Sequence, residues 1–133
     1  IMYEKREDSD ALFVIRARTI LQETNELFML TSFRMDRSDG LNMSGGRARY
    51  DTSLSQITVM GPMTINTKDG WKADLSDLFW DRKSKQAKTN KEVTIQGDKG
   101  RIISDKAEFY DDFSDIHLIG GVHAKIADNI FNH

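Results

Sequence analysis

The hydrophobic positions of this chain fall on alternate residues in a series of short runs. Phe13, Ile15 and Ala17 open the series, and Leu27, Met29, Phe33 and Met35 follow. Next come Ile57, Val59, Met63 and Ile65, then Ala87, Thr89, Val93 and Ile95. Alternation with period two marks strands buried on one face, and the β-branched content of these runs agrees. The runs recur. Gly40, Gly70 and Gly100 are thirty residues apart, and Tyr50-Asp51, Trp80-Asp81 and Tyr110-Asp111 each begin ten residues after a glycine. A degenerate first copy precedes these, with Ile20 in the aromatic position. A period of this length is a strand–turn–strand unit stacked on its neighbours. In the last copy the apolar set (Ile116, Leu118, Val122, Ala124, Ile126) comes one position early. A one-residue slip turns a strand inside out, so the turn after Tyr110-Asp111 is expected to be one residue shorter.

Each copy reads strand, polar turn, strand, glycine turn. Asp39-Gly40 and Asp69-Gly70 suit two-residue type I′ hairpins, which need positive φ at both central residues. Gly61-Pro62 interrupts a long strand where proline cannot donate to the ladder, and Gly120-Gly121 falls at nearly the equivalent place. The pattern predicts one all-β domain spanning 1–133, with roughly eight or more antiparallel strands. The sheet should fold over itself near Gly61 and Gly120, with Tyr50, Trp80 and Tyr110 stacked at strand ends. A parallel β-solenoid, whose coil also takes about thirty residues, is the competing architecture. Only the ends, before Tyr3 and at Asn129–His133, leave room for a short helix.

Composition narrows the function. The chain has 133 residues, 38% hydrophobic and 30% charged, with net charge −2 and no cysteine. Without a basic excess it is not a nucleic-acid binder driven by bulk charge, and without disulfides its stability must come from packing and backbone pairing. His117 and His123 alternate with core residues, which places both outward on one strand face. With no cysteine, and with carboxylates in turns, neither a metal site nor a cofactor is expected. Asp51, Asp81 and Asp111 read as turn starters whose carboxylates accept backbone N–H groups. No nucleotide fingerprint or nucleophile elbow is present, so the expectation is a non-enzyme. Two features remain. The apolar face is rich in adaptable and large side chains, among them Phe28, Met29, Met43 and Met60. A basic run, Arg82, Lys83, Lys85, Lys88 and Lys91, has no acid before Glu92; it is either a solvated turn or a contact for anionic head groups or an acidic partner.

Four segments in order resemble the LptC family of lipopolysaccharide-export proteins. They are Phe13-Val14-Ile15-Arg16-Ala17; Gly46-Arg47-Ala48-Arg49-Tyr50-Asp51 leading to Ile57-Thr58-Val59-Met60-Gly61; Glu92-Val93-Thr94-Ile95-Gln96-Gly97; and Ser104 through Asp111, continuing to Leu118-Ile119-Gly120-Gly121-Val122. The last segment is also similar to the bridge protein LptA. Phe13 stands where many relatives have tryptophan. The resemblance implies an antiparallel folded-sheet β-jellyroll of the OstA-like kind. It implies a periplasmic domain anchored to the inner membrane by a segment absent from this chain, receiving lipopolysaccharide from an LptB/LptF/LptG-type transporter complex. It also implies hand-over to LptA through a strand edge.

Combining the resemblance with the alternation gives a candidate acyl-chain groove: Phe13, Ile15, Phe33, Met35, Ile57, Val59, Met63, Val93, Ile95, Leu118 and Val122. The candidate partner edge is Leu118, Ile119, Gly120, Gly121 and Val122, and Gly97 is expected to be a glycine the sheet requires. An LptA-like bridge subunit, or a strand-adding adaptor that holds no lipid, are the alternatives. A carbohydrate-binding sandwich would instead need Tyr50, Trp71, Trp80 and Tyr110 exposed on one face.

Overall fold

Among the described residues every strand pairing is antiparallel, which excludes the solenoid. The computed structural model describes residues 2–5 and 12–126, with side chains over 13–124. The strands are β1 (Met2–Lys5), β2 (Leu12–Gln22), β3 (Leu27–Arg37), β4 (Asn42–Asp51), β5 (Gln56–Asn66), β6 (Lys72–Ser76), β7 (Phe79–Asp81), β8 (Gln86–Thr89), β9 (Val93–Gly97), β10 (Gly100–Ser104), β11 (Lys106–Tyr110), β12 (Asp115–Ile119) and β13 (His123–Ile126). The all-β folded sheet read from the repeat, and the jellyroll that the resemblance implied, are the fold. Met2–Lys5 is a strand, and Asn129–His133 lies outside the described residues.

The sheet divides after β5. Pro62–Asn66 of that strand pairs with β6, whereas Gln56–Thr58 pairs with β7. One branch continues β5-β6-β9-β10-β13 and the other β5-β7-β8-β11-β12; together with the parts of β2–β4 that register onto each part of β5, we call these the first and second half-sheets. At the division Gly61 has φ +78° and donates its N–H to the Asp77 carboxylate at 2.8 Å. The bend line runs on through Ser32 (φ 46°), a register shift between Gly45 and Arg47, and Gly120 (φ 75°). Bends at Gly61 and Gly120 are legible in the sequence; the one at Ser32 is not.

That bend changes which residues face inward. In β3, Phe33 and Met35 are buried in the first half-sheet, but in the second it is Leu30 that is buried, with Phe28 packed against the core. Leu27 and Met29 therefore do not share the face of Phe33, as unbroken alternation implied. Left-handed backbone at Ser32 re-aims the strand, as an irregularity in a ladder does.

The turns also differ from expectation. Gly40 N–H donates to Arg37 O at 3.0 Å and Arg37 N–H to Leu41 O at 2.8 Å, and only Gly40 of this turn has positive φ. This is a three-residue turn with a glycine bulge, not a type I′ hairpin; Thr67–Trp71 repeats it. The third glycine turn is tighter. Gly97 pairs with Gly100, leaving Asp98-Lys99 between them. The residue missing from the last copy is lost here, not after Tyr110. Phe109 consequently takes the aromatic position, in a cross-strand row with Tyr50, Ile57, Trp80, Ala87 and Ile116. Tyr110 faces outward, donating to Glu108 Oε2 at 2.6 Å beside the His117 ring. The stack of Tyr50, Trp80 and Tyr110 is not formed.

β1 covers Leu12–Ile15 of β2, so that strand is not wholly an edge. The final apolar run is two strands, β12 and β13, which join different half-sheets across Gly120-Gly121. His117 and His123 are thus both exposed but on separate strands.

Candidate functional site

Folding the sheet brings the two half-sheets face to face, and large side chains close one end. Phe13 from β2 meets Trp80 from β7 with ring centroids 5.4 Å apart. Phe113, in the β11–β12 turn, packs edge-on to Trp80 at 5.2 Å and against Phe109 at 5.2 Å. The Arg82 guanidinium lies 4.6 Å from the Phe13 centroid and 5.6 Å from that of Trp80, and its Nη1 donates to the Tyr50 hydroxyl at 2.9 Å. The Arg37 guanidinium lies 5.8 Å from the Phe13 centroid, and its Nη2 donates to the Asp112 carbonyl at 3.3 Å. Arginine suits this place because its guanidinium is weakly hydrated and stacks on aromatic faces. Arg82 is 5% exposed, so it does not belong to the basic surface run in which the sequence placed it.

The other end stays open. A groove of about 750 Å³ lies between Trp71, Ile95 and Ile102 of the first half-sheet and Ile116 and Leu118 of the second. Ile102 pairs with Ile95, and Ile95 with Ala73, so these side chains share one face. The hairpin Gly97–Arg101 forms the rim. Ile116 and Leu118 are only partly buried, because β12 is the last strand of its branch.

The candidate groove residues divide accordingly. Ile95 and Leu118 line the groove. Phe13, Ile15, Phe33, Met35, Ile57, Val59, Met63 and Val93 are each at most 4% exposed, in the sealed core behind it. Val122 does not face the interior: it precedes β13 and is 49% exposed, since the chain breaks at Gly120-Gly121 before crossing to the other half-sheet. Trp71, Ile102 and Ile116 were not among the candidates. Trp71 follows a turn glycine, and Ile102-Ile103 shows no alternation, so neither carried a period-two signal; Ile116 did. With Tyr50 and Trp80 buried and Trp71 in the groove, these residues form no exposed aromatic platform for sugars.

The glycines behave differently from expectation. A Cβ on Gly97 would meet nothing within 4 Å, and its φ is not positive. The sheet does not require glycine there; by alternation from Ile95 a side chain would stand in the groove mouth. Gly120 and Gly121 lie against this chain's own Asp105, whose carboxylate oxygen would be 3.0 and 2.9 Å from the added Cβ atoms. The candidate partner edge is therefore not one continuous strand. Leu118 and Ile119 belong to β12, which pairs only with β11, while β13 pairs only with β10. Among the described residues both have one unpaired backbone side, next to the groove. Such edges are templates for another strand.

Polar groups here serve the turns. The Asp51 carboxylate accepts from Ser53 Oγ (2.6 Å), Ser53 N and Leu54 N, and these bonds hold its carboxyl below the usual range. Partial burial works against ionisation of Asp39, but the Arg37 guanidinium and the Leu41 N–H outweigh it and lower its carboxyl too. Asp81 caps Lys83 N likewise. Asp111 does not: it sits at φ 51° and only its carbonyl accepts, from Ser114. Among the described residues no group of three His, Cys, Asp or Glu could hold a metal.

Known proteins match this arrangement in structure. The chain folds as LptH does. LptH is the LptA-homologous periplasmic component of the lipopolysaccharide transport device of Pseudomonas aeruginosa. The superposition has a TM-score of 0.69 and covers 86% of this chain and 94% of that one. Sequence identity with LptH is 9%, so the likeness is one of fold. No family model matches the chain, and no curated protein matches it in sequence.

Proposed function

We propose that this chain is a periplasmic lipopolysaccharide-transport module, holding acyl chains in its groove and passing them along a strand edge. The observation that carries the reading is the apolar groove opening beside two unpaired edges. The chemistry calls for such a groove. Each methylene removed from water is worth about 0.8 kcal/mol, so a twelve-carbon chain left exposed costs roughly 10 kcal/mol. The described residues carry no nucleotide motif, so work comes from a partner such as an LptB/LptF/LptG-type complex. The four LptC-like segments favour the role of receiving lipopolysaccharide at an inner-membrane anchor and delivering it to LptA. The likeness to LptH favours the second reading, an LptA-like bridge subunit. An adaptor that holds no lipid fits less well, because a sealed body would have no use for the groove.

Native mass spectrometry of the chain with purified lipopolysaccharide tests the proposal. A one-to-one complex that is lost on Ile102→Asp supports it. Absence of any complex at micromolar concentrations, with the chain folded, refutes it. Retention of LptA but not of the transporter complex in pull-downs would favour the bridge reading over the anchored one.

A further inference from the structure

Lys83 and Lys88 of the basic run and two exposed leucines have no part in the groove, and they meet on the outer face of the second half-sheet. On β4, Arg47 and Arg49 are exposed and alternate with buried Ala48 and Tyr50, so they point away from the core. Lys88 does the same between Ala87 and Thr89 on β8. Strand register sets Leu21, Met29, Arg49, Thr58, Phe79 and Lys88 in one row across six strands. Arg47 lies in the next row, between Thr31 and Met60. At the tip of this face the turns carry Leu54, 50% exposed, and Lys83; Leu21 at the end of β2 is 62% exposed.

The charge is uncompensated where it matters. Arg47, Arg49, Lys83 and Lys88 form no ion pair or side-chain hydrogen bond among the described residues. Of the nearby acids, Asp51 and Asp81 are turned into their own turns. Glu108 lies beside Lys88, and Glu23 and Glu26 lie on the neighbouring turn. The turn that carries the exposed leucine is fixed by Leu54 N–H, which donates to Asp51 Oδ1 at 3.2 Å. In a chain of net charge −2, cations set above an exposed leucine tip are complementary to a bilayer, with leucines entering the interface and arginines meeting lipid phosphates.

We propose that this face docks on an anionic membrane surface, orienting the groove relative to the bilayer. Proposal and groove are independent: the docking face lies on the opposite side of the second half-sheet from Ile116 and Leu118.

Flotation with vesicles tests it, comparing phosphatidylcholine alone with phosphatidylcholine containing phosphatidylglycerol. Each basic residue near an anionic surface strengthens partition about fivefold, so Arg47→Ala with Arg49→Ala should weaken binding to the anionic vesicles roughly 25-fold. Leu54→Asp should weaken it as well, while Lys68→Ala with Lys72→Ala on the first half-sheet, and Ile102→Asp in the groove, should leave it unchanged. Circular dichroism checks that each variant is folded. Equal binding to both vesicle types, or equal loss with the Lys68 and Lys72 pair, overturns the proposal. So does loss with Ile102→Asp, which would mean that lipid enters the groove instead. Binding to soluble polyglutamate as strong as to vesicles, and indifferent to Leu54, would identify an acidic protein partner and overturn the membrane assignment.

Discussion

The two ends of the folded sheet are built from the same repeat, yet one is sealed and the other open. At the sealed end Phe13, Trp80 and Phe113 fill the gap between half-sheets, and Arg82 and Arg37 close over them. At the open end Trp71 stands at the lining with Ile95, Ile102, Ile116 and Leu118, and no ring from the opposite half-sheet meets it, so the gap stays unfilled. Aromatic residues that meet across the fold make a wall, whereas one aromatic facing aliphatic residues leaves a cavity. Stability should therefore reside at one end and binding at the other.

The largest test of that division is Trp80→Ala, which removes the wall. It should cost about 3–5 kcal/mol in urea unfolding, as loss of a buried aromatic does. A loss below about 1 kcal/mol would mean that the sealed end contributes little. Next is Arg82→Ala, expected to cost about 2–3 kcal/mol through its two aromatic contacts and the Tyr50 hydroxyl left without it. At the open end Ile102→Asp should change stability by less than about 1 kcal/mol, since Ile102 is only partly buried in an open groove, while removing lipid binding. Gly97→Leu is gentler: it should leave the melting temperature nearly unchanged and weaken binding severalfold by filling the mouth. If it unfolds the chain, Gly97 is structural after all.

The smallest effect is that of acid. Asp51 and Asp39 have depressed carboxyl values in the folded chain, so their contribution is fully present above the ordinary aspartate range. It fades as pH falls through their lowered values. Asp51→Ala should lower stability by a constant amount above the aspartate range and flatten the acid limb of a stability-against-pH curve, because the contribution that fades there is gone.

The sequence announced the sheet because half-buried strands alternate, and the repeat multiplied that signal. Inward residues such as Ile57, Val59, Val93 and Ile95 were legible for this reason. Leu30 and Phe109 were not. Leu30 lies beyond the left-handed Ser32, and Phe109 lies after a hairpin shortened by one residue; each event shifts the phase of alternation without leaving a mark in composition. Arg82 escaped for a different reason, since a charge in a basic run reads as surface until the aromatic faces that receive it are brought together. The groove was half legible: Ile95 and Leu118 sit in alternating runs, but which of many inward residues stay uncovered depends on how the sheet folds.

Photo-crosslinking tests the central claim most directly, with a benzophenone side chain placed at Ile102, Ile116, Ser38 or Thr64 and lipopolysaccharide added. Ile102 and Ile116 line the open end, Ser38 lies in the turn at the sealed end, and Thr64 alternates with buried Met63 and Ile65 on the outer face. The account predicts adducts at Ile102 and Ile116 and none at Ser38 or Thr64. Labelling at Ser38 or Thr64 equal to that at Ile102 would contradict it.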